Sequence, residues 1–383
     1  MTQTGQAGQP GAPVLIAAGG TGGHLFPARA LAEDLRRRGI AVELVSEERA
    51  QSFGHDFPAQ AIHLIPAATP VGKSPIKLIR ALMTLARGVY QARRMIGHVA
   101  PSLVVGFGGY PTVPPLIAAR LRGVASLVHE QNAVMGRANR LLSRLASAVA
   151  LSVPDPAKAG ASVLAKSVLT GNPVRDAVIA ASAVPYQTPQ TDGPFKLLVF
   201  GGSQGAHVFS ELLPQAVKLL DGRHRSRLVI TQQARSEDLG QVRAAYDAAG
   251  VDAEIATFFA DLPQRMADAH LVVCRSGAST VSEIAAIGRP SIMVPLPHAI
   301  DNDQLHNARA LEAAGGGWTA EQSMLDASAL ARDIGALMDE PDRLAEAAGA
   351  ARAAGRPQAA EALGALVEHL AKGGDVRTYR ATA

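Results

Sequence analysis

A short apolar run that leads straight into a glycine-rich turn occurs twice in this chain. No other sequence feature limits the fold as strongly. Val14-Leu15-Ile16-Ala17-Ala18 leads into Gly19-Gly20-Thr21-Gly22-Gly23-His24, and the apolar run at 196–200 leads into Gly201-Gly202-Ser203-Gln204-Gly205-Ala206. The turns start at positions 19 and 201, which are 182 apart, about one domain. Glycine lets the chain turn sharply and lets a phosphate or sugar approach the backbone. The helix that follows presents free N–H groups and a positive dipole end to an anion.

The surrounding pattern agrees with twin nucleotide-binding domains. Apolar strands at 14–18, 42–45, 103–105, 126–128 and 148–151 alternate with helical stretches. The alternation restarts with strands at 196–200, 227–230, 253–257, 271–274 and 291–294. Continuous apolar strands separated by helices imply parallel sheets covered on both faces. The fold class is therefore α/β, with two Rossmann-like domains facing a cleft. The expected divisions are a disordered tail at 1–12, an N-terminal domain at 13–175 and a polar linker at 176–195. A C-terminal domain follows at 196–355, and a terminal helical segment at 356–383 has the spacing to pack back on the first domain. The linker reading rests on Pro185, Pro189 and Pro194.

Composition excludes several classes. Hydrophobic residues at 48% and charged residues at 18% fit a globular chain with large cores. Aromatics at 4% argue against a single-strand nucleic-acid binder, which needs stacking platforms. The formal charge of +4 permits contact with phosphates or anionic lipid without requiring either. Cys274 is the one cysteine and follows Leu271-Val272-Val273, so it reads as a buried structural thiol in a reducing compartment. The N-terminus has no secretory n- or h-region. No run approaches the 18 apolar residues of a membrane span.

Neither turn spells the strict G-x-G-x-x-G fingerprint, because Thr21 and Ser203 stand where the second glycine belongs. Glu47 and Glu48 are the only acids near the end of the second strand. A dinucleotide dehydrogenase is thereby disfavoured. Four more segments stand at strand ends or helix starts: GFGGY at 106–110, HEQN at 129–132, GNPVR at 171–175 and RSGASTVSE at 275–283. Their polar residues include His24, Glu130, Asn132, Arg175, Ser203, Glu283 and Gln304, and ligands in parallel sheets bind at such edges.

In their order and spelling these motifs resemble the bacterial MurG family. The resemblance runs from about Val14 to about Trp318 and more loosely to the C-terminus. It implies a GT-B glycosyltransferase with the acceptor on the N-terminal domain and the donor on the C-terminal domain. The implied reaction is inverting transfer of N-acetylglucosamine from UDP-N-acetylglucosamine to undecaprenyl-pyrophosphoryl-N-acetylmuramoyl-pentapeptide, in peptidoglycan synthesis. It also implies peripheral attachment to the cytoplasmic face of the inner membrane, with cell-wall synthesis and division proteins as possible partners and no nucleic acid. By the same resemblance, Thr21, Gly22 and Gly23 lie near the donor sugar and acceptor phosphates. Asn132 contacts the N-acetylglucosamine, Arg175 lies near the nucleotide and Ser203 sits at the donor diphosphate. Phe259 meets uracil through its backbone. Ala278, Ser279, Thr280, Val281, Ser282 and Glu283 surround the ribose and phosphates, and Gln304 bonds the donor sugar. The chain departs from the family in pairing Asp303 with Gln304 where two glutamines are usual. The loop at 298–302 is one residue longer, and Phe259 replaces an aliphatic residue.

Inverting transfer needs a base for the attacking hydroxyl and stabilisation of the leaving diphosphate. His24 and Glu130 are the two candidates for the base. The alternative for His24 is a helix cap or phosphate ligand, and for Glu130 a structural acceptor. Asp301-Asn302-Asp303 stands in a late loop rather than at a strand end, and His129, His298 and His306 lack metal-ligand spacing. The expected chemistry uses no metal and no cofactor, with helix dipoles, Ser203 and Arg175 taking the leaving charge.

Residues 73–87 place Ile76, Ile79, Met83 and Ala86 on one helical stripe bordered by Lys73, Lys77, Arg80 and Arg87. Spacing alone favours a core helix with solvated basic residues. The resemblance, whose acceptor is lipid-anchored, favours an interfacial helix on anionic lipid. Two other functions share the twin-domain pattern. A UDP-N-acetylglucosamine 2-epimerase would share the donor but need no lipid-facing helix, and a non-catalytic sugar-nucleotide-binding protein would bind the donor without turning it over.

Overall fold

The computed structural model describes residues 11–19, 22–47, 57–68, 75–202 and 205–380. It divides into two compact units, one reaching to Arg175 and resuming at Gln358, the other spanning Asp176–Pro357. The division differs from the sequence-based linker. Residues 176–195 group with the second unit and contain a helix, Asp176–Ser182. The physical reason is a set of long-range donors to backbone carbonyls. Arg289 reaches Val184 O at 3.1 Å, Arg352 reaches Ser182 O at 2.7 Å and Arg227 reaches Gln190 O at 2.8 Å.

Unit 1 is built on seven parallel strands: β1 (Val14–Ala17), β2 (Val42–Ser46), β3 (Ile62–Leu64), β4 (Leu103–Gly106), β5 (Ser126–Glu130), β6 (Ala148–Leu151) and β7 (Ser167–Leu169). Their order is β3-β2-β1-β4-β5-β6-β7. The helices are α1 (Gly22–Arg37), α2 (Pro75–Val99), α3 (Val113–Arg122), α4 (Arg137–Leu145) and the one-turn α5 (Ala161–Leu164). Every β1 residue is buried, because alternate side chains serve opposite cores. Val14 and Ile16 join the core under α1, while Leu15 and Ala17 join the core under α2, α3 and α4.

Unit 2 has six parallel strands: β8 (Phe195–Phe200), β9 (Leu228–Gln233), β10 (Asp252–Ala256), β11 (Leu271–Cys274), β12 (Ser291–Met293) and β13 (Gly317–Thr319), in the order β10-β9-β8-β11-β12-β13. Its helices are α6 (Asp176–Ser182), α7 (His207–Leu219), α8 (Gly222–Arg227), α9 (Leu239–Ala249), α10 (Leu262–Asp268), α11 (Ala278–Ile287), α12 (Asp303–Ala313), α13 (Ala327–Asp339) and α14 (Pro341–Ala354). The chain then returns to unit 1 with α15 (Ala359–Ala371), whose Leu363, Leu366, Val367 and Leu370 complete the core beneath α1.

Each sheet reverses its strand order once, between β1 and β4 in unit 1 and between β8 and β11 in unit 2. In open parallel sheets the crevice beyond such a reversal is where ligands bind. The two glycine-rich turns follow β1 and β8, and the GFGGY and RSGAST segments follow β4 and β11. The sequence motifs therefore flank both reversals.

Candidate functional site

In unit 1 the site grows from the ends of β1, β4 and β5. Thr21 lies outside the described residues. Gly22 opens α1 and is buried, whereas Gly23 is exposed. His24 is half-buried, with its ring against the turn after β4. That turn needs glycine. Gly108 has φ +85°, and Gly109 combines φ 74° with ψ 163°, a conformation open in practice only to glycine. A Cβ built on Gly108 would stand 3.3 Å from His24 Cε1. Burial holds the His24 pKa below its ordinary value, while the Gln131 side chain and the Phe107 carbonyl push it partly back up.

HEQN ends β5. His129 is fully buried, stacks on Phe107 with ring centroids 5.1 Å apart, and has an Nε2 to Gly171 O contact of 3.0 Å. Burial lowers its pKa to about 4. Glu130 is 1% exposed and binds four donors. Oε1 accepts from the Asn132 backbone N–H at 3.0 Å and from Asn132 Nδ2 at 3.4 Å. Oε2 accepts from the Gly136 N–H at 2.9 Å and from Asn139 Nδ2 at 2.8 Å. Burial raises the Glu130 pKa, and these donors pull it back down. Asn132 is half-buried beside it. Arg175 closes the unit, its guanidinium 5.1 Å from the Phe26 ring centroid on α1. His24, Glu130, Asn132 and Arg175 therefore all belong to unit 1 and cluster on the strand ends beside the β1/β4 reversal.

In unit 2, Ser203 lies outside the described residues. Arg275, just past β11, is buried and donates to Val294 O and Pro295 O, each at 3.1 Å, and to Gln322 Oε1 at 2.8 Å. It holds the β12 end against the turn that opens α11. Ala278, Ser279, Thr280, Val281 and Ser282 form the first turn and a half of that helix and are partly exposed, while Glu283 is buried. Ser282 Oγ donates to Ala278 O at 2.8 Å, and Ser279 Oγ is buried without a partner. Ser276 Oγ donates to Gln304 O at 2.9 Å, which ties α12 to the same turn. Gln304 Oε1 accepts from the Leu296 N–H at 3.0 Å, so the amide presents its Nε2 as the remaining donor. The intervening loop has His298, Asp301 and Asn302 in the left-handed region, with φ 59°, 60° and 53°. Such strain concentrates at functional sites. Phe259 follows β10, two strands from β8, and its buried ring lies 4.4 Å beneath the Arg265 guanidinium. Cys274 is buried and its thiol is pushed up by burial, which leaves it unreactive.

The sequence did not single out Gln131, Asn139, Gly136 or Arg275. Gln131 lies inside a motif that was visible, but Asn139 and Gly136 meet Glu130 only through the α4 entry, which carries no local signal.

Residues 14–151 match the glycosyltransferase family 28 N-terminal domain, and residues 196–363 match the family's C-terminal domain. A Sinorhizobium fredii protein described as a UDP-N-acetylglucosamine–N-acetylmuramyl-(pentapeptide) pyrophosphoryl-undecaprenol N-acetylglucosamine transferase is 52% identical over 368 residues, 96% of this chain and 98% of that protein. A Mesorhizobium japonicum protein of the same description is 53% identical over 369 residues, 96% and 97% of the two chains. Among solved structures, Acinetobacter baumannii MurG superposes with TM-score 0.77 at 30% identity, covering 93% of this chain and 99% of that one. A putative UDP-N-acetylglucosamine 2-epimerase from Listeria monocytogenes shares the fold, at TM-score 0.69 and 14% identity over 98% and 100% of the two chains.

Proposed function

The chain belongs to glycosyltransferase family 28, among the MurG transferases, and from that premise we infer that it moves N-acetylglucosamine from UDP-N-acetylglucosamine to the muramoyl sugar of undecaprenyl-pyrophosphoryl-N-acetylmuramoyl-pentapeptide. The observation that carries this reading is identity of about half over 96% of the chain to relatives so described. The paired sites at the two strand-order reversals support it, one per unit as donor and acceptor require. The epimerase likeness extends to the fold alone.

In this reading, the acceptor hydroxyl gives its proton to His24 Nε2 as its oxygen bonds to the sugar's anomeric carbon. The bond from that carbon to the diphosphate breaks on the opposite face, and UDP departs. Of the two candidate bases we assign the role to His24, because Glu130 already has both oxygens committed to its own loop. Glu130 instead holds Asn132 in place to meet the substrate. Arg175 and the α11 start, with Ser203 and Thr21 by resemblance, take the phosphates. Gln304 Nε2 donates to the donor sugar, Glu283 accepts from the ribose, and the Phe259 backbone meets the base.

The attachment is peripheral. No helix among the described residues is long and apolar enough to cross a membrane. On α2, Ile76, Ile79 and Met83 are 63%, 56% and 67% exposed, and Lys77, Arg80 and Arg87 stand exposed beside them. An apolar stripe left in solvent with a basic rim fits an anionic lipid surface.

The decisive assay follows labelled N-acetylglucosamine from UDP to a short-chain analogue of the lipid acceptor, with UDP release measured with and without that acceptor. Acceptor-dependent release and labelled disaccharide product are expected. UDP release that is independent of acceptor, or donor binding without turnover, would reject the transferase reading. His24→Ala is expected to lower kcat by roughly a hundredfold or more with donor binding intact. In the parent, the acid limb of kcat/KM lies below the ordinary histidine pKa, since the base must be neutral and burial lowers its pKa.

A further inference from the structure

The glycine-rich turn of unit 2, at 201–206, is where the function proposed above seats the donor diphosphate. One neighbouring segment grips it: the end of β9 and residues 234–238, which lead into α9. The grip holds both ends of the turn. The Gly201 N–H donates to Gln233 Oε1 at 3.1 Å, and Gln233 Nε2 donates in turn to Thr257 O at 3.1 Å. A Cβ built on Gly205 would stand 3.2 Å from Arg235 Cγ, so the arginine stem lies against the turn. Just past the turn, His207 Nδ1 meets both carboxylate oxygens of Asp238 at 2.9 Å.

His207 is the first residue of α7, where a cation opposes the helix dipole. Its surroundings nevertheless favour the cation. Asp238 stands at the N-cap position of α9, yet its carboxylate caps no N–H group of that helix and is turned to His207 instead. Asp238 is 5% exposed, and its pKa lies below the ordinary value, chiefly through the His207 hydrogen bond. An ionised carboxylate can only accept, so Nδ1 carries a hydrogen. The other ring nitrogen, Nε2, stands 3.4 Å from Glu211 Oε1, one turn along α7. An imidazolium satisfies both carboxylates, whereas a neutral ring with its hydrogen on Nδ1 turns a lone pair towards Glu211. Arg235 faces the ring from the 234–238 segment and opposes protonation, and Glu237 lies 3.9 Å from the Arg235 guanidinium. The carboxylates prevail: the His207 pKa is raised above its ordinary 6.5, chiefly by the Asp238 hydrogen bond.

We propose that His207 is a positioning residue whose imidazolium, held between Asp238 and Glu211, latches the start of α7 to the 234–238 segment and so sets the turn that receives the donor diphosphate. The inference rests on the reading of that turn as the diphosphate seat. Charge-assisted hydrogen bonds are the stronger kind, so the latch is firm while the ring is charged and slackens when it loses its proton. An anion at the start of α7 also offsets the conflict between cation and dipole. Donor binding and ring protonation therefore assist each other, as linkage requires. Because the folded pKa is raised, the latch is complete below about pH 6.5 and is lost as pH rises through the raised value. Donor affinity falls over the same interval.

The test is calorimetry of UDP-N-acetylglucosamine binding to the full chain from about pH 6 to about pH 9, a span that brackets histidine titration. The donor's diphosphate is a diester and does not titrate there, so the dependence belongs to the protein. Parental affinity is expected to fall by roughly twofold to fivefold across the span. Proton uptake on binding should appear as a heat that varies with the ionisation enthalpy of the buffer. His207→Arg stays charged throughout and is expected to hold the parental low-pH affinity at every pH. His207→Gln is never charged and is expected to bind throughout as the parent does at high pH. A parental pH profile in His207→Arg, or parental low-pH affinity in His207→Gln, overturns the latch. A second measurement needs no binding by either variant. The His207 ring signal in proton spectra of the parent, identified by its loss in His207→Gln, should titrate with a midpoint above 6.5, and a midpoint at or below that value overturns the proposal. A parent that binds no UDP-N-acetylglucosamine at any pH refutes the donor reading itself, whereas donor binding with a profile unchanged in His207→Arg refutes the latch alone.

Discussion

Within HEQN, neighbouring residues divide the work by where their polar atoms point. Glu130 meets four donors from residues 132, 136 and 139, so it organises the loop that carries Asn132. Glu130→Gln turns one oxygen into a donor facing donors, and a buried mismatch of that kind costs about 1–3 kcal/mol. The variant is expected to lose thermal stability, to raise substrate KM through a displaced Asn132, and to keep the parental acid limb. A lost acid limb in Glu130→Gln would return the base role to Glu130. His129 gives a second expectation. It is neutral in the fold, with a pKa of about 4 against an ordinary 6.5. The unfolded chain therefore binds a proton below about pH 6.5 that the folded chain refuses until about pH 4. Its contribution is complete above pH 6.5 and is lost as pH falls through that window, with a slope of at most about 1.4 kcal/mol per pH unit. His129→Gln should flatten the fall in urea midpoint between pH 7 and pH 5, and an unchanged slope would refute this. The motif itself was legible in the sequence as a strand-end site. The roles within it were not, because they depend on burial and on Asn139 and Gly136, which sequence places outside the motif.

Strands that run through the middle of each sheet announce themselves, and strands at the edges mostly do not. The apolar runs at 14–18, 103–105, 126–128, 196–200 and 271–274 all appear as central strands. No comparable run announces β3, β7 or β13, each three residues long and each at a sheet edge. An edge strand is partly solvated and has one neighbour, so it needs no continuous apolar run. Helix α2 shows the converse limit. Its spacing suits a core helix, yet the structure leaves Ile76, Leu78, Ile79, Leu82 and Met83 in solvent and buries Ala81, Ala92 and Ile96 instead. Periodicity reveals that a helix has an apolar stripe but not which of two stripes faces the sheet. If the exposed stripe meets lipid, two variants should separate charge from apolar contact in vesicle flotation. Lys77→Gln with Arg80→Gln should weaken binding to anionic vesicles by roughly tenfold or more and lose its effect at high salt. Ile79→Ser with Met83→Ser should weaken binding at every salt concentration. Parental protein that binds neutral and anionic vesicles equally would remove the electrostatic part, and no binding to either would remove the membrane reading.

The chain crosses between its units twice, once at Arg175–Asp176 and once at Pro357–Gln358, so the first unit is finished by the last residues of the chain. Helix α15 lies against α1, where Leu363, Leu366, Val367 and Leu370 are at most 3% exposed. Polar contacts frame that seam. Arg38 Nε meets Asp34 Oδ2 at 2.6 Å, and Arg38 Nη1 meets Glu368 Oε2 at 3.2 Å. Close approach of the two helices depends on Gly364, since a Cβ there would collide with the Asp34 carboxylate and crowd Arg38. Asp34 is nearly buried and already tied to Arg38, so it has little room to move. Gly364→Leu should therefore push α15 off α1 and open the core of unit 1 while leaving every residue of unit 2 untouched. Overpacking of this sort costs about 1–3 kcal/mol, which for a unit of this size lowers its melting temperature by several degrees. Because most of the donor residues proposed above (Phe259, the α11 start, Glu283 and Gln304) lie in unit 2 and the base and acceptor residues in unit 1, the two halves of the reaction should respond differently. UDP binding by calorimetry is expected to stay near the parental value at a temperature where transfer to the lipid acceptor is already falling. Parallel loss of both would mean that the units unfold as one, and an unchanged melting profile would mean that the α1–α15 seam contributes little to holding unit 1 together.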